Sequence, residues 1–531
     1  MRNSISKLLG LVAVAALFLA SCTKDLDRQP VYGNTAASLY KDLAGYKSVL
    51  AKTYAGLTMT GNSGPDGQGD VSGIDEGFSS YIRQYWSVQE LSTDEAVIGW
   101  NDATIKDFHF MTWSPADVFI RALYSRIFFQ ITLANEFIRE SAADKVSGRG
   151  ISGADATEIA YMRAEVRFLR ALSYYHAMDL FGNVPFVTEN DNVGAFLPNQ
   201  ISRANLFNYI ESELKAIETE LKDARTNEYG RADKAAAWAL LSRMYLNAEV
   251  YLGAGNAKYT ECITYCNKIT AVSGYQLINN YRHLFVANND VTSSSEFIFA
   301  VNFDGNRART WGGTTFLVHA PIVGSMNAAD YGVDFGWGGL RTTKQFVQKF
   351  AGPAGDSRQN FYTSGQNLEI NDISSANDGY GIIKFTNKTS TGANGSNLTW
   401  VDTDFAFFRL AEIYLNYAEA VLRGGTGGSS ATALTYINAL RQRAYGNSSG
   451  DITAPQLTVP FLLDERAKEL HWEAVRRTDL IRYGQFTEAT YLWAWKGNTL
   501  NGQAVGNHRK LYPIPSADLV ANPNLAQNPG Y

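Results

Sequence analysis

LLDERAKELHWEAVRRTDLIRYG, residues 462–484, decides how the rest of the chain is read. Leu463, Ala467, Leu470, Ala474 and Ile481 recur at helical steps, so the spacing predicts one amphipathic helix. Asp464 lies four residues before Lys468, and Glu473 four before Arg477. Both pairs have the acid-first order that favours i,i+4 pairing, so a salt-laced outer face is expected. Gly484 follows the last apolar position and suits a left-handed cap.

Working outward, helical patterning covers much of the chain. Residues 405–423, the turn GGTGG at 424–428 and residues 430–444 read as a helical hairpin of about 40 residues, close to tetratricopeptide length. Further helices are expected at 35–57, from the cap and proline Ser114–Pro115 to about 142, and at 159–181. Met162, Val166, Leu169, Ser173, His176 and Leu180 form one stripe there, and Gly182 ends it. Residues 202–221 are amphipathic. Asp233 caps 235–252, which is apolar nearly all round, and 257–270 follows. Ala164, Ala171, Ala237, Ala411 and Ala418 allow close helix contact, whereas the strict tetratricopeptide consensus is absent. The fold expected is mainly α: a tetratricopeptide-like superhelix of helical hairpins carrying a loop-rich ligand-binding region.

Four segments share a more specific pattern. They are RAEVRFLRALSYY through LFGNVP (163–185), FRLAEIYLNYAEA (408–420), the stretch at 462–484, and LYPIP through NPNLAQNPGY (511–531). Together, and in this order, they resemble the SusD/RagB family, outer-membrane nutrient-binding lipoproteins of Bacteroidetes that sit on a TonB-dependent transporter. The resemblance implies degenerate helical repeats, a glycan ligand, a SusC-like transporter as partner, and no catalysis.

Composition bounds the alternatives. Hydrophobic residues at 45% and charged residues at 19% suit a globular core. The net charge of −5 and the lack of a long basic run leave nucleic-acid binding without an electrostatic basis. Arg2 and Lys7 precede an apolar run from Leu8 to Ala20, long enough for a signal h-region and short for a membrane span. Leu19-Ala20-Ser21-Cys22 then resembles a lipoprotein signal, with cleavage before Cys22 and lipidation of its thiol. Residues 1–21 are read as the signal peptide and 22–34 as a tether, in which Asp25 and Asp27 fit the acidic export segment of the family. Anchoring through lipid at the outer membrane, exposed at the cell surface, is expected. Cys262 and Cys266, four apart on a helix, are expected as buried free thiols.

The rest, residues 35–531, is read as a single SusD-like domain. Its helical scaffold covers about 35–57, 115–271 and 404–484; irregular regions occupy 58–114 and 274–403; a strap follows at 485–531. Long loops of this kind are functional or disordered, and their aromatics argue against disorder. A strand is expected within 296–303 and a short helix at 343–350.

No sequence feature requires a metal or cofactor. None of the six His forms HExxH. Gly446-Asn-Ser-Ser-Gly450 matches GxSxG only as letters, because a helix precedes it where a nucleophile elbow needs a strand. Asp94–Glu95 and Asp402/Asp404 are paired acids, but spacing alone sets no glycosidase geometry. Asp356-Ser-Arg358 reads as a structural ion pair.

Sugar binding needs flat aromatic rings against C–H faces and planar polar groups around the hydroxyls. Trp238 and Trp472 fall on helices and are expected in the core. Trp100, Trp311, Trp337 and Tyr331 fall in irregular, glycine-rich stretches; Asn101 adjoins Trp100, and Asp75 and Arg83 are further polar candidates. The resemblance places Trp100 among the first-loop aromatics of starch binders and Gly336-Trp337-Gly338-Gly339 in a loop before a helix. Three readings stay open: a glycan-binding lipoprotein, a binder of peptide or glycopeptide cargo, and a helical-repeat scaffold for protein partners without a small ligand.

Overall fold

The computed structural model describes residues 35–67, 69–194 and 196–531. The expected signal peptide, Cys22 and the tether to residue 34 lie outside the described residues.

In chain order the elements used below are α1 (Leu43–Ala55), α2 (Tyr81–Glu90), β1 (Val97–Ile98), α3 (Val118–Glu140), α4 (Gly153–Phe181), α5 (Arg203–Ile217), α6 (Lys234–Leu246) and α7 (Tyr259–Thr270). There follow β2 (Phe297–Val301), α8 (Gly313–His319), β3 (Leu340–Arg341), β4 (Phe405–Arg409), α9 (Leu410–Leu422), α10 (Ser430–Tyr445), α11 (Val459–Leu470) and α12 (Arg476–Arg482). Neighbouring helices pack in pairs: α3 on α4, α4 on α5, α6 on α7, α7 on α9 and α9 on α10. The architecture is the mainly α, tetratricopeptide-like stack expected.

Local chemistry explains the helix starts. One Asp233 carboxylate oxygen accepts from Ala235 N at 2.8 Å and Ala236 N at 3.3 Å, covering amides that have no partner inside the helix. Ser202, Ser429 and Thr458 cap α5, α10 and α11 in the same way. Gly182 ends α4 at φ 72°, a conformation only glycine takes at little cost. The expected stripe of α4 is buried throughout, as are the five small alanines. Cys262 and Cys266 are buried free thiols. Trp472 is fully buried, whereas Trp238 is partly covered, packed against the core with Lys268 over its ring.

Four expectations about elements are corrected. First, Asp117 caps α3 in place of Ser114: its carboxylate accepts from Phe119 N and Ile120 N, both at 2.9 Å, while the Ser114 hydroxyl reaches only Ala116 N. Second, the helix expected over 235–252 is interrupted at Asn247, whose side chain donates to Arg243 O at 2.8 Å. Third, residues 405–423 are not one helix. Phe405–Arg409 forms β4, antiparallel to β2 with Phe297 opposite Arg409 and Val301 opposite Phe405. The aromatic-rich run FAFFR suits a pleated surface and is buried on both faces.

Fourth, and with the widest consequence, residues 462–484 are two helices. α11 stops at Leu470 and α12 starts at Arg476; between them Trp472 and Ala474 both adopt φ 62°. Such left-handed residues cost of order 1 kcal/mol each and persist only where contacts hold them. Here Glu95 Oε2 accepts from Trp472 N at 3.1 Å, Trp472 Nε1 donates to Glu95 O at 3.2 Å, Trp86 Nε1 donates to Trp472 O at 3.1 Å, and Glu90 Oε1 accepts from Val475 N at 3.2 Å.

The salt-laced outer face is absent as well. Asp464 pairs with Lys349 at 2.7 Å rather than Lys468. Glu473 pairs with Arg409 at 2.6 Å and Lys384 at 2.7 Å rather than Arg477, which donates to Lys510 O at 2.6 Å. The charges point inward. Glu469 meets Arg409 at 2.6 Å, Arg358 at 3.3 Å and also Arg443; Arg466 meets Asp479 at 2.8 Å; Arg476 meets Asp94 at 2.7 Å. Asp356 and Arg358 form the expected ion pair at 2.8 Å, and Arg358 continues to Glu465 at 2.7 Å. This network ties the helical stack to β2, β4 and both irregular regions.

Candidate functional site

The two regions expected to be irregular are only partly so, the first holding α2 and a short helix Ile105–Phe110 and the second α8, and they meet through a short ladder. β1 pairs antiparallel with β3, Val97 opposite Arg341 and Ile98 opposite Leu340. The pairing continues one step, with Gly99 N donating to Gly339 O at 2.9 Å. This register brings Trp100 alongside the 337–339 turn, although the two segments are far apart in sequence. Gly339 makes the approach possible: a Cβ there would sit 2.4 Å from Trp100 Cε2. The turn is held from behind by α8 and the residues after it, with Trp337 N donating to His319 O at 2.9 Å and Gly339 N to Ala320 O at 2.8 Å.

Three tryptophans result side by side, each half-buried. The Trp100 and Trp337 rings are 6.4 Å apart and tilted by 41°; Trp311 and Trp337 are 6.0 Å apart and tilted by 58°. Neighbouring rings are therefore inclined to each other and not coplanar. Each ring is fixed. Trp100 Nε1 donates to Trp337 O at 3.1 Å, and Trp311 Nε1 donates to Asp66 Oδ1 at 2.7 Å. Trp337 stacks on His319 at 4.8 Å and 23°, and Trp400 lies edge-on to Trp311 at 4.5 Å.

Arg83 joins the parts from below. Its guanidinium lies 4.5 Å from the Phe316 ring and 5.9 Å from Trp100, and donates to Gly77 O at 2.8 Å and Trp311 O at 3.1 Å. Burial pushes its pKa down to about 10, against the pull of Asp102 and Asp75, so it is charged at neutral pH. Asp75 is exposed and accepts from Gly77 N at 2.7 Å, shaping the turn that Arg83 reads. Asn101 is exposed and accepts from Lys106 Nζ at 2.6 Å, and Lys106 also reaches Ser374 Oγ at 2.8 Å. A shallow cavity of about 540 Å³ opens between Gly99, Trp100, Asn101, Asp102, Trp337 and Ser374.

Five of the seven expected site residues thus come together, Trp100, Asn101, Trp311, Trp337 and Arg83, while Asp75 is tied to them only through the turn at Gly77. Tyr331 does not join the row. Its carbonyl accepts from Asn387 N at 2.9 Å and Thr386 Oγ1 at 3.1 Å, and its ring makes none of the contacts of the arc. Sequence reasoning missed Asp66, Asp102, His319 and Ser374. Asp102 could have been found beside Trp100–Asn101, and Asp66 within its Pro-Asp-Gly turn. His319 sits at the end of a short helix that periodicity does not reveal.

The paired acids lie elsewhere and are engaged. Asp94 and Glu95 are buried against Arg476. Asp402 accepts from Gly305 N at 2.7 Å, and Asp404 from Phe303 N at 2.7 Å and Tyr229 Oη at 2.9 Å. Burial pushes the Asp404 carboxyl up to about 7. A second cavity of about 380 Å³ lies between α1 and β2, lined by Leu50, Tyr54, Met59, Tyr229 and Phe299. Its walls mix aliphatic side chains with Tyr54, Tyr229 and Phe299, and its rim residue Arg231 is committed to Glu165 at 2.6 Å.

Comparison with known proteins bears on the family and the fold. Residues 352–531 match the model of the SusD family, and residues 78–246 match a model described as starch-binding and associating with the outer membrane. The chain is 34% identical to the starch-binding protein SusD of Bacteroides thetaiotaomicron over 98% of both chains, and 24% identical to SusD-like protein P2 of Formosa agariphila, also over 98% of both. Among solved structures, a SusD homolog from Bacteroides thetaiotaomicron superposes with a TM-score of 0.71 at 19% identity, covering 95% of this chain and 99% of that one. Surface glycan-binding protein A from the same organism, solved with laminarihexaose, gives 0.68 at 20% identity, over 91% and 99% of the two chains. With sequence similarity running the full length and the helical stack shared with solved members, the chain belongs to the SusD family.

Proposed function

We propose that the protein is a non-catalytic glycan-binding lipoprotein. In this reading it holds a curved glucan of the starch type on Trp100, Trp337 and Trp311 and passes it to a SusC-like TonB-dependent transporter in the outer membrane. The observation that carries this reading is that neighbouring rings of the row are not coplanar. Successive indoles tilted by 41° and 58° suit an α-linked chain that turns as it runs, whereas a straight β-1,4-linked chain would favour coplanar rings. Half-exposed faces cover the C–H side of each sugar, and Asn101 and Asp102 stand at the edge for its hydroxyls, while Arg83 braces the row from beneath. The name of the SusD relative, which binds starch, points the same way. Lipidation at Cys22 would tether the protein to the membrane on which its partner sits.

Calorimetric titration with maltoheptaose tests the site. Stacking of about 1 kcal/mol per ring predicts that the double variant Trp100→Ala/Trp337→Ala binds roughly thirtyfold more weakly, with unchanged circular dichroism. A double variant that binds like wild type refutes the site, and tighter binding of laminarihexaose or of a peptide refutes the proposed cargo. Co-purification of a barrel transporter with the lipidated protein tests the partner.

A further inference from the structure

Beside the arc stand two large apolar side chains that nothing in the fold covers. Phe335 is 48% exposed and Leu398 is 43% exposed. Most apolar residues on a protein surface are scattered singly and need no explanation. These two are held together. Asp334 N donates to Leu398 O at 3.1 Å, and Thr399 Oγ1 donates to Asp334 Oδ2 at 2.6 Å. His319 lies between both segments, with Nδ1 2.7 Å from Phe335 O and Nε2 3.0 Å from Thr399 O, and its neutral ring donates to one of the two carbonyls.

The same imidazole also carries Trp337. Its ring lies 4.8 Å from the Trp337 ring and 5.5 Å from the Phe335 ring. Phe335 and Trp337 thus flank one shared, buried ring. Gly336 between them lies against Ile322, where a Cβ would meet Cγ2 at 2.4 Å. Gly336 is itself exposed, and the missing side chain is what lets the loop lie against Ile322 between the two rings.

We infer that Phe335 and Leu398 form an additional subsite, beyond the three tryptophans, for the continuing chain of the same glucan. This rests on the reading of the arc as the glycan site. A phenyl ring with an aliphatic neighbour offers an apolar face to sugar C–H groups, and the exposed Asp334 carboxylate and Thr399 at its edge offer hydrogen-bonding partners. Because the subsite is set off from the arc, it is reached by a long chain and left empty by a short one.

The test compares maltotriose with a long linear α-1,4-glucan on the full chain, by calorimetry, for wild type, Phe335→Ser, Leu398→Ser and Phe335→Tyr. Both Ser variants are expected to lower affinity for the long glucan by about fivefold and leave maltotriose binding unchanged, with Phe335→Tyr restoring wild-type behaviour. Both residues are exposed, so the variants keep the fold. Equal losses for both ligands, or no loss for the long glucan, would overturn the inference. So would an unchanged glucan profile accompanied by reduced co-purification of a transporter, which would make this surface a protein contact. Wild-type protein that binds neither glucan brings down the parent reading and this subsite with it, an outcome distinct from normal maltotriose binding with an indifferent Phe335.

Discussion

At the scale of single residues, Gly339 sets how near Trp100 comes to the turn behind it. Its backbone is not in the left-handed region, so the demand for glycine is one of space alone: a Cβ would lie 2.4 Å from the indole. Gly339→Ala is therefore expected to rotate the half-exposed Trp100 rather than unfold the ladder. An overpacking cost of about 1–3 kcal/mol, realised at the ring, predicts roughly tenfold weaker glucan binding with little change in the urea midpoint. Titration of the variant checks this, and unaltered affinity would show that Trp100 has another way to lie. The tryptophans themselves were legible, because large aromatics in glycine-rich, aperiodic stretches have no helix face to occupy. Tyr331 satisfies the same description and still falls outside the row, since its position is set by the backbone of Thr386 and Asn387, which local sequence does not encode.

At the scale of elements, the break between α11 and α12 couples the helical stack to the site. Trp472 and Val475 are held by Glu95 and Glu90, and Arg476 by Asp94, on the segment that runs into β1 and then Trp100. The charged residues around this break face one another inside the protein. Ions removed from water are destabilising unless well paired, and deleting one partner leaves the others stranded. Glu469 is shared by Arg409, Arg358 and Arg443, and these guanidinium groups hold its carboxyl far below the usual carboxylate range against the cost of its burial. Glu469→Ala is expected to destabilise the fold by about 3–5 kcal/mol in urea denaturation. A loss below about 1 kcal/mol would show that solvent reaches the network, as at a surface pair.

At the scale of the whole molecule, buried groups of opposite sense shape the response to pH. Burial holds His109 at about 4, and His176, His319 and His471 below their ordinary 6.5. Each stays neutral in the fold, so the stability it contributes is complete above pH 6.5 and is lost as pH falls through its folded value. For His109 alone this amounts to roughly 3 kcal/mol. Burial pushes Glu90 up to about 7, Asp404 to about 7, and Asp117 and Asp233 to about 6, with Glu95 raised also by the neighbouring Glu90. These act in reverse: their contribution is complete below the ordinary carboxylate range and is lost as pH rises through the folded value. Between pH 4.5 and 6.5 the two sets oppose each other. Below 4.5 the histidines are joined by the paired carboxylates Glu469, Glu473, Glu419 and Asp479, whose folded values are lowered. The expected profile of urea midpoint against pH is a near plateau from 6.5 to 4.5 and a steep fall beneath it. A fall that begins at 6.5 would mean that the buried carboxyls are ionised in the fold.

Many of the scaffold helices, the Asp233 cap, the Gly182 stop and the family pattern were determined by sequence alone, because each rests on neighbours within one or two turns. Asp233 reaches amides two and three residues on, Gly182 supplies its own conformation, and the stripe of α4 is written at helical spacing. The break at 471–475, the strand at 405–409 and the row of tryptophans were decided only by tertiary structure. An amphipathic wheel assumes that its polar face meets water, and in residues 462–484 that face meets buried arginines and carboxylates instead. The arc depends on a register between β1 and β3, segments more than two hundred residues apart, and nothing local to Trp100 or Trp337 specifies which distant edge will satisfy the backbone groups beside them.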